Sequence, residues 1–184
     1  AKTVELQNGG VVAYDKLLLA TGSAARRLPN FDALGKHVYT LRNLEDSQAL
    51  VSVLQAGKRI VLIGGGVIGM EFAGIYTSLG VPVRVIEMAP EILGAMDSET
   101  SGMLRKEYAR RGIQFYLETK VTAVSAEGVS IETKDGKTEV LPTSQILLSV
   151  GRRPVTDGLG LETLSIQMNR AAVVVNEYMQ TSHP

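Results

Sequence analysis

Short apolar runs and longer stretches with helical spacing alternate along the middle of the chain. The apolar runs at 59–63, 83–87 and 146–150 predict strands that are buried on both faces. The order strand, helix, strand, helix, strand is typical of a right-handed parallel α/β sheet. Three helices are predicted: one at 43–55, one from the turn after the first of these strands to near Gly80, and one from Asp97 or Ser98 to Gly112.

Two β-hairpins and one further apolar run accompany this parallel arrangement. Asn8-Gly9-Gly10 and Asp135-Gly136 tolerate the positive φ angles of tight turns, and each lies between two short apolar stretches. Lys16 to Ala20 predicts another buried strand, whereas residues 24–40 predict a connection. The second hairpin adds a small antiparallel layer. The remaining strands are predicted at 3–6, 11–14, 114–118, 121–126, 129–134 and 137–141.

A glycine-rich turn joins the strand at 59–63 to the helix that follows. Its sequence, Gly64-Gly65-Gly66-Val67-Ile68-Gly69, contains G-x-G-x-x-G. The first glycine permits a tight turn, the second lets the backbone approach a diphosphate, and the third lets the helix pack against the strand. N–H groups of the first helical turn and the positive end of the helix dipole would then face the phosphates. The motif alone is a weak indication, but the preceding strand and the small residues Ala73 and Gly80 strengthen it.

An acidic residue at the end of the next strand predicts which dinucleotide binds. Glu87 lies 23 positions after Gly64, where a carboxylate can bind both hydroxyls of the adenosine ribose. The same carboxylate would repel the 2′-phosphate of NADP, and Met88, Ala89 and Pro90 supply no arginine to bind that phosphate. The sequence therefore favours NAD(H). The alternative interpretation of Glu87 is a solvated carboxylate at a strand end.

Other candidate residues are less specific. Glu71 lies on the first turns of the same helix, where it is either a favourable charge near the N-terminus or a group that reaches the nicotinamide end of the cofactor. Gly151 follows the last strand, where parallel sheets bind ligands, and we expect it to contact the cofactor. Arg152 and Arg153 are either solvated charges or part of the same site. No residue is a convincing general acid or nucleophile.

Composition narrows the function without identifying it. Lysine plus arginine and aspartate plus glutamate each total 19, so the net charge is zero and predicts neither nucleic-acid nor membrane binding. The absence of cysteine excludes disulfides and thiolate chemistry within these residues and favours the reducing cytoplasm. His37 and His183 lie far apart and are predicted to be surface residues rather than metal ligands. No apolar run has membrane-spanning length.

Three segments resemble the FAD-dependent pyridine nucleotide–disulfide oxidoreductases, in the order in which that family carries them. They run from Tyr14 to Ser23, from Gly64 to Glu71 and from Val150 to Pro154. The tail, at 156–161 and 176–184, is similar to the dihydrolipoamide dehydrogenase branch. Residues 39–46 are more similar to the ferredoxin reductase, coenzyme A disulfide reductase and NADH oxidase branches. The resemblance covers essentially the whole chain.

The resemblance implies a three-layer ββα FAD/NAD(P)-binding fold, which is Rossmann-like and has a parallel sheet and a small antiparallel β-meander. It implies an NAD-binding domain at 41–152, flanked by parts of an FAD domain at 1–40 and 153–184. Thr21, Gly22 and Ser23 match a segment that touches the pyrophosphate or adenosine of FAD, and Val121 matches a valine that packs on adenine. The residues implied to line the NAD site are Gly64, Gly65, Gly66, Val67, Ile68, Gly69, Glu71, Glu87, Val121 and Gly151.

The family's FAD-binding glycine motif, redox cysteines and catalytic histidine have no counterpart in these 184 residues. We therefore expect the NAD-binding part of a longer, homodimeric flavoprotein that passes hydride between NADH and FAD, and we expect this part to be inactive by itself. A dihydrolipoamide dehydrogenase-like function is the first expectation. The alternatives are the NAD domain of a ferredoxin reductase, coenzyme A disulfide reductase or NADH oxidase, and a non-enzymatic NAD-sensing module.

Overall fold

The computed structural model describes residues 2–28, 31, 37–53, 58–125 and 127–183. The chain divides into two compact units, which we call the terminal unit (Ala1–Ser23 and Pro154–Pro184) and the central unit (Ala24–Arg153). Within the described ranges, no helix is both long and apolar enough to cross a membrane. The predicted domain limits at residues 40 and 152 stay predictions, because this division does not identify what either unit binds.

A five-stranded parallel sheet forms the middle of the central unit. Every neighbouring pair of its strands is parallel. The predicted strands at 59–63, 83–87, 114–118 and 146–150 are confirmed, with ends that differ by at most two residues. The three central strands are almost wholly buried, as expected of a parallel sheet that is covered on both faces. In spatial order the strands are β4 (Val38–Tyr39), β11 (Gln145–Leu148), β5 (Ile60–Ile63), β6 (Val83–Ile86) and β7 (Gln114–Tyr116).

The three predicted helices are present as α1 (Leu44–Ser52), α2 (Val67–Ser78) and α3 (Ser98–Arg110). The first and third begin where the sequence predicts, because the side chains of Asn43 and Asp97 each accept a backbone N–H group, at 2.8 and 2.9 Å. After α2, Gly80 has a φ of +73°, the left-handed conformation in which helices commonly end. The predicted end of the first helix, at 54–57, lies outside the described residues.

An antiparallel sheet forms a second layer of the central unit. It consists of β8 (Thr119–Ser125), β9 (Gly128–Thr133) and β10 (Thr138–Pro142), in the order β10-β9-β8. The hairpin predicted around Asp135-Gly136 is confirmed, and Gly136 has a φ of +75°. Ala126, the last residue of the strand predicted at 121–126, lies outside the described residues.

Side chains of the parallel sheet alternate between two hydrophobic cores. On one face, Leu62, Val85 and Leu147 pack with Ala73 and Tyr76 of α2. On the other face, side chains of the same strands pack against the antiparallel sheet. Those on this second face are Val61, Ile63, Ile86, Ile146 and Leu148, with Val129, Ile131 and Leu141 opposite them. The parallel sheet therefore lies between helices and meander, which confirms the expected three-layer ββα fold.

The terminal unit contains short antiparallel pairs. The first predicted hairpin is confirmed as β1 (Thr3–Glu5) and β2 (Val11–Ala13). A second pair consists of β13 (Met168–Asn169) and β14 (Ala172–Val173), and a short 3-10 helix spans Leu161–Leu164. Two further short strands, β3 (Ser23–Ala25) and β12 (Arg152–Pro154), pair with each other.

Two sequence expectations are wrong. Lys16 to Ala20 forms no strand, and its three leucines, Leu17, Leu18 and Leu19, are between 48% and 86% exposed. An apolar run becomes a buried strand only where neighbouring strands pair with it, and none of the described strands does so here. The predicted connection at 24–40 contains part of β3 and all of β4, which are too short to show alternation. Pro29, Asn30 and Gly35 of that connection lie outside the described residues.

A leucine inside the sheet should matter far more for stability than one on a helix surface. Leu147 is 0% exposed and Leu44 is 67% exposed. We expect Leu147→Ala to lower the free energy of unfolding by about 2–5 kcal/mol, because burial is lost and a cavity is left. Leu44→Ala should change it by about 0.5 kcal/mol or less. Urea unfolding followed by circular dichroism measures both, and equal effects would contradict this core.

Candidate functional site

The turn between β5 and α2 is shaped by the close approach of backbone segments. Gly64 has a φ of +105°, which side chains rarely adopt, and a Cβ there would lie 2.5 Å from the carbonyl oxygen of Ser149. A Cβ on Gly69 would lie 2.1 Å from the carbonyl oxygen of Gly64 and 2.8 Å from Ser149 Oγ. The first and third glycines of the motif therefore allow α2 to begin directly against the end of β5.

The middle glycine of the motif faces open space instead. A Cβ on Gly66 would meet no atom within 4 Å, and Gly66 is the N-cap residue of α2 without a side-chain cap. The first N–H groups of a helix have no partner within the helix, and the helix dipole adds partial positive charge at the same place. This end of α2 is therefore a cradle that can take an anionic group such as a diphosphate.

The Glu87 carboxylate holds the turn from the neighbouring strand. Its Oε2 accepts the N–H of Gly65 at 2.6 Å, and its Oε1 accepts the N–H of Ala89 at 2.8 Å. The carbonyl oxygen of Gly65 accepts the N–H of Leu93 at 2.8 Å. A Cβ on Gly65 would lie 3.0 Å from Cγ2 of Ile92, so the segment after β6 packs closely against the turn. Each carboxylate oxygen has a further lone pair that can accept a ribose hydroxyl.

Arg105 of α3 anchors this same segment. Its Nε donates to both carboxylate oxygens of Glu91, at 2.7 and 3.0 Å, and both side chains are partly buried. This hydrogen bond from Arg105 is the main cause that lowers the pKa of Glu91 below its usual value, and the N–H of Ile92 adds to the lowering. Glu91 is therefore charged at neutral pH and ties the segment that follows Glu87 to α3.

A cavity of about 590 Å³ opens at the carboxyl ends of the parallel strands. Apolar side chains, among them Ile68, Met88 and Val121, form most of its wall, and Glu87 and Ser149 add polar groups. Its volume is typical of cofactor pockets, and the carboxyl ends of the strands are where open parallel sheets bind ligands. The geometry is therefore that of an apolar pocket with an anion cradle and a carboxylate on its wall.

Comparison with known proteins decides the family. Residues 1–184 match the family described as pyridine nucleotide-disulphide oxidoreductase. The chain belongs to this family. The resemblance inferred from the sequence is therefore confirmed, and the homologues in the family use FAD and NAD(H).

Similar members of the family come from two of its branches. The ferredoxin–NAD(+) reductase component of 3-phenylpropionate/cinnamic acid dioxygenase from Photorhabdus laumondii is 36% identical, over 98% of this chain and 45% of its own length. Dihydrolipoyl dehydrogenase from Pseudomonas aeruginosa is 34% identical, over 97% and 38%. The crystal structure of the ferredoxin reductase for the CYP199A2 system from Rhodopseudomonas palustris superposes with a TM-score of 0.83 at 29% identity, over 100% of this chain and 45% of that one. The chain thus spans less than half the length of these family members.

The cavity brings together most of the residues that the sequence predicts for the NAD site. Gly65 and Gly69 are not among its lining residues, because they are buried in the turn behind it, and Glu71 is exposed on α2 and does not line it either. The binding roles of all these residues stay predictions. The predicted residues that line the cavity are Gly64, Gly66, Val67, Ile68, Glu87, Val121 and Gly151.

The segment predicted to touch FAD consists of the last three residues of the first stretch of the terminal unit. Thr21 Oγ1 donates to the carbonyl oxygen of Val155 at 2.5 Å, and the carbonyl oxygen of Gly22 accepts the N–H of Val155 at 3.0 Å. Ser23 begins β3. These hydrogen bonds hold two chain segments of this unit together, and FAD contact by Thr21, Gly22 and Ser23 stays a prediction.

The sequence analysis missed Ser149 and several apolar wall residues. Ser149 lies directly after β11 and lines the cavity. A usable signal was present, because a hydroxyl residue at the carboxyl end of a buried parallel strand lies where ligands bind. Leu41 and Met88 also line the cavity, but no local pattern distinguishes them from other apolar residues.

Two glycines of the turn should respond differently to the same added methyl group. Gly64→Ala should lower the free energy of unfolding by at least about 2 kcal/mol, because overpacking and a strained positive φ act together. Gly66→Ala should cost less than about 1 kcal/mol, because its Cβ enters open space. Chemical denaturation of both variants measures the difference. Equal costs would contradict the described turn.

The Glu91–Arg105 pair should contribute stability that depends on pH. The pKa of Glu91 is lower in the folded chain, so its contribution is fully present above the unfolded carboxyl pKa of about 4.3 and is lost as the pH falls through the folded value. We expect Glu91→Gln to destabilise by about 0.2–1 kcal/mol at neutral pH and by less in acid. Denaturation across this pH range measures the effect.

Glu107→Gln is the control, since Glu107 pairs with Arg110 and Arg111 on the exposed surface at the end of α3. Its substitution should have a smaller effect on stability at neutral pH than that of Glu91. A Glu91→Gln effect of the same size at every pH would contradict the assigned charge.

Proposed function

We propose that this chain binds NAD(H) in the cavity beside the Gly64–Gly69 turn. In the protein to which it belongs, this binding would serve the passage of hydride between NADH and FAD. The observation that carries the proposal is the exposed start of α2 at the wall of an apolar cavity of about 590 Å³. The chain by itself is proposed to bind the dinucleotide without catalysing a reaction.

The residues on the cavity wall match the chemistry of a dinucleotide. A diphosphate matches the N–H groups and partial positive charge at the start of α2, where Gly66 leaves space for it. Apolar residues such as Ile68 and Val121 suit the faces of an aromatic base. Under this proposal Val121 packs on the adenine, Gly151 contacts the cofactor, and Glu71 acts toward the nicotinamide end from its exposed position on α2.

Glu87 supports NAD(H) rather than NADP(H). Its carboxylate lines the cavity and is fixed by two backbone N–H groups, so it cannot turn away without losing both hydrogen bonds. A 2′-phosphate beside it would meet an unfavourable negative charge. Arg105, which contacts the same segment, is engaged with Glu91.

The redox chemistry belongs to the cofactors, which exchange hydride when both are bound. This chain's residues would bind, orient and partly desolvate the dinucleotide. Contact of Thr21, Gly22 and Ser23 with FAD, a homodimeric assembly and a cytoplasmic location remain parts of the proposal that rest on the sequence and the family.

Two electron acceptors are proposed for the longer protein. A dihydrolipoyl dehydrogenase-like role follows from the tail of the chain and from relatives of that name at 34% identity. A ferredoxin reductase-like role follows from residues 39–46 and from a relative of that name at 36% identity. NADH-linked assays of the longer protein with lipoamide and with a ferredoxin distinguish the two roles.

Calorimetric titration with NADH and NADPH tests the proposed ligand. NADH should bind at least about tenfold more tightly than NADPH because of the Glu87 charge, and Glu87→Ala should narrow this ratio. Gly66→Val should abolish binding of both nucleotides, because its side chain enters the space proposed for the diphosphate.

Circular dichroism of Gly66→Val serves as the folding control for this titration. Failure of the unchanged chain to bind NADH, or unimpaired binding by folded Gly66→Val, would refute the proposed site. Equal binding of NADPH would refute the nucleotide preference alone.

A further inference from the structure

Ser149 contacts the glycine turn from the far side of β5. Its hydroxyl oxygen lies 2.9 Å from the carbonyl oxygen of Gly64 and 3.1 Å from that of Ile63, in the geometry of a donor. The backbone N–H of Ser149 also donates to the carbonyl oxygen of Ile63, at 2.8 Å. Since Ser149 lines the cavity as well, its side chain belongs both to the wall and to the support of the turn.

The carbonyl that Ser149 contacts belongs to the same peptide group as the N–H that Glu87 contacts. The carbonyl of Gly64 and the N–H of Gly65 lie in one planar unit. Ser149 donates to its oxygen at 2.9 Å, and Glu87 accepts from its nitrogen at 2.6 Å. The two side chains come from opposite neighbours of β5, namely the ends of β11 and β6. One peptide plane is therefore held at both ends.

Glycines are the residues that most need such external support. Without a Cβ, Gly64, Gly65 and Gly66 have the widest choice of backbone angles, and three in succession would otherwise leave the direction of the first α2 N–H groups weakly defined. Packing fixes Gly64 and Gly69 through close contacts, but Gly66 has no neighbour within 4 Å of its Cβ position. Two peptides lead into Gly66. The N–H of Leu93 holds the carbonyl oxygen of the second one, Gly65–Gly66, at 2.8 Å. The orientation of the first one, Gly64–Gly65, therefore completes the definition of how the cradle presents its N–H groups.

We propose that Ser149 is a positioning residue of the dinucleotide site, which acts with Glu87 to clamp the Gly64–Gly65 peptide and so to preorganise the N–H groups that bind the diphosphate. The inference rests on the proposed function for its ligand, but the clamp itself is a property of the free chain. In this proposal Glu87 has two roles, because it orients the Gly64–Gly65 peptide in addition to binding the ribose.

Thr143 provides a matched control for Ser149. Its hydroxyl lies in donor geometry to two backbone carbonyl oxygens, those of Gln145 at 2.6 Å and Arg59 at 3.0 Å. These contacts lie where the chain enters the same two strands, at the opposite end of the sheet. Thr143→Val removes the hydroxyl and both of these contacts and keeps the shape of the side chain. If ligand binding weakens only because the fold is less stable, Thr143→Val and Ser149→Ala should weaken it alike. If it weakens because the turn is no longer positioned, only Ser149→Ala should weaken it.

The binding test compares ADP-ribose, which has the diphosphate, with adenosine, which lacks it. Ser149→Ala should weaken ADP-ribose binding about tenfold, the value of one hydrogen bond that orients charged contacts. It should leave adenosine binding within about twofold of that of the unchanged chain. Thr143→Val should leave both unchanged. Equal weakening of both ligands, or no weakening, would overturn the positioning role.

Amide hydrogen exchange tests the clamp without any ligand. The Gly65 amide should exchange slowly in the unchanged chain although it lies in a turn, and faster in Ser149→Ala but not in Thr143→Val. Rapid exchange of Gly65 in the unchanged chain would overturn the proposal even if Ser149→Ala fails to fold. If the unchanged chain shows the slow Gly65 amide but binds neither ADP-ribose nor NADH, the proposed function fails and the clamp stands.

Discussion

The site depends on how closely the first turn of α2 approaches the end of β5. The carbonyl oxygen of Gly64 lies 2.1 Å from the position that a Cβ on Gly69 would occupy. Any residue larger than glycine at this third position of the motif would therefore push the helix away from the strand. This contact directs the N-terminus of α2 at the cavity beyond the carboxyl ends of the parallel strands. A helix displaced from this position would present its N–H groups and dipole elsewhere. The anion cradle is thus a consequence of close packing.

The layers around the sheet make this close packing possible. The strands that carry the site are buried on both faces, by helices on one side and by the antiparallel sheet on the other. The antiparallel sheet also supplies part of the cavity wall, through Thr119 and Val121 of β8. The pairing register of β8 shifts between Val121 and Ala123, and such irregularities commonly redirect side chains near binding sites. The same strands and helices therefore determine both the stability of the central unit and the geometry of the site.

Much of the fold follows from local sequence, because its local signals agree with one another. Buried strands such as Ile60–Ile63, the caps Asn43 and Asp97, and the Asp135-Gly136 turn are each visible in a few residues. The strand predicted at Lys16 to Ala20 is wrong because burial on both faces requires neighbouring strands, and their presence cannot be read from the run itself. The strand β4 was not predicted, because two residues are too few to show the alternation of apolar and polar positions that is typical of a strand.

The candidate site was predictable where the backbone demands a particular residue and unpredictable where a side chain acts through the tertiary structure. Glycine spacing and the acid after the second strand identify the turn and Glu87. The contact between Ser149 and Gly64 joins residues 85 positions apart, and no local pattern encodes it. The same holds for the link from Arg105 to Glu91, which appears only when α3 packs beside the segment after β6.

A crystal structure of the chain with NADH bound tests the central claim most directly. It should place the diphosphate at the first turn of α2 beside Gly66, with the adenosine ribose hydroxyls on the Glu87 carboxylate and the turn itself unmoved. A diphosphate bound away from this turn, or a ribose that leaves Glu87 without contact, would contradict the account.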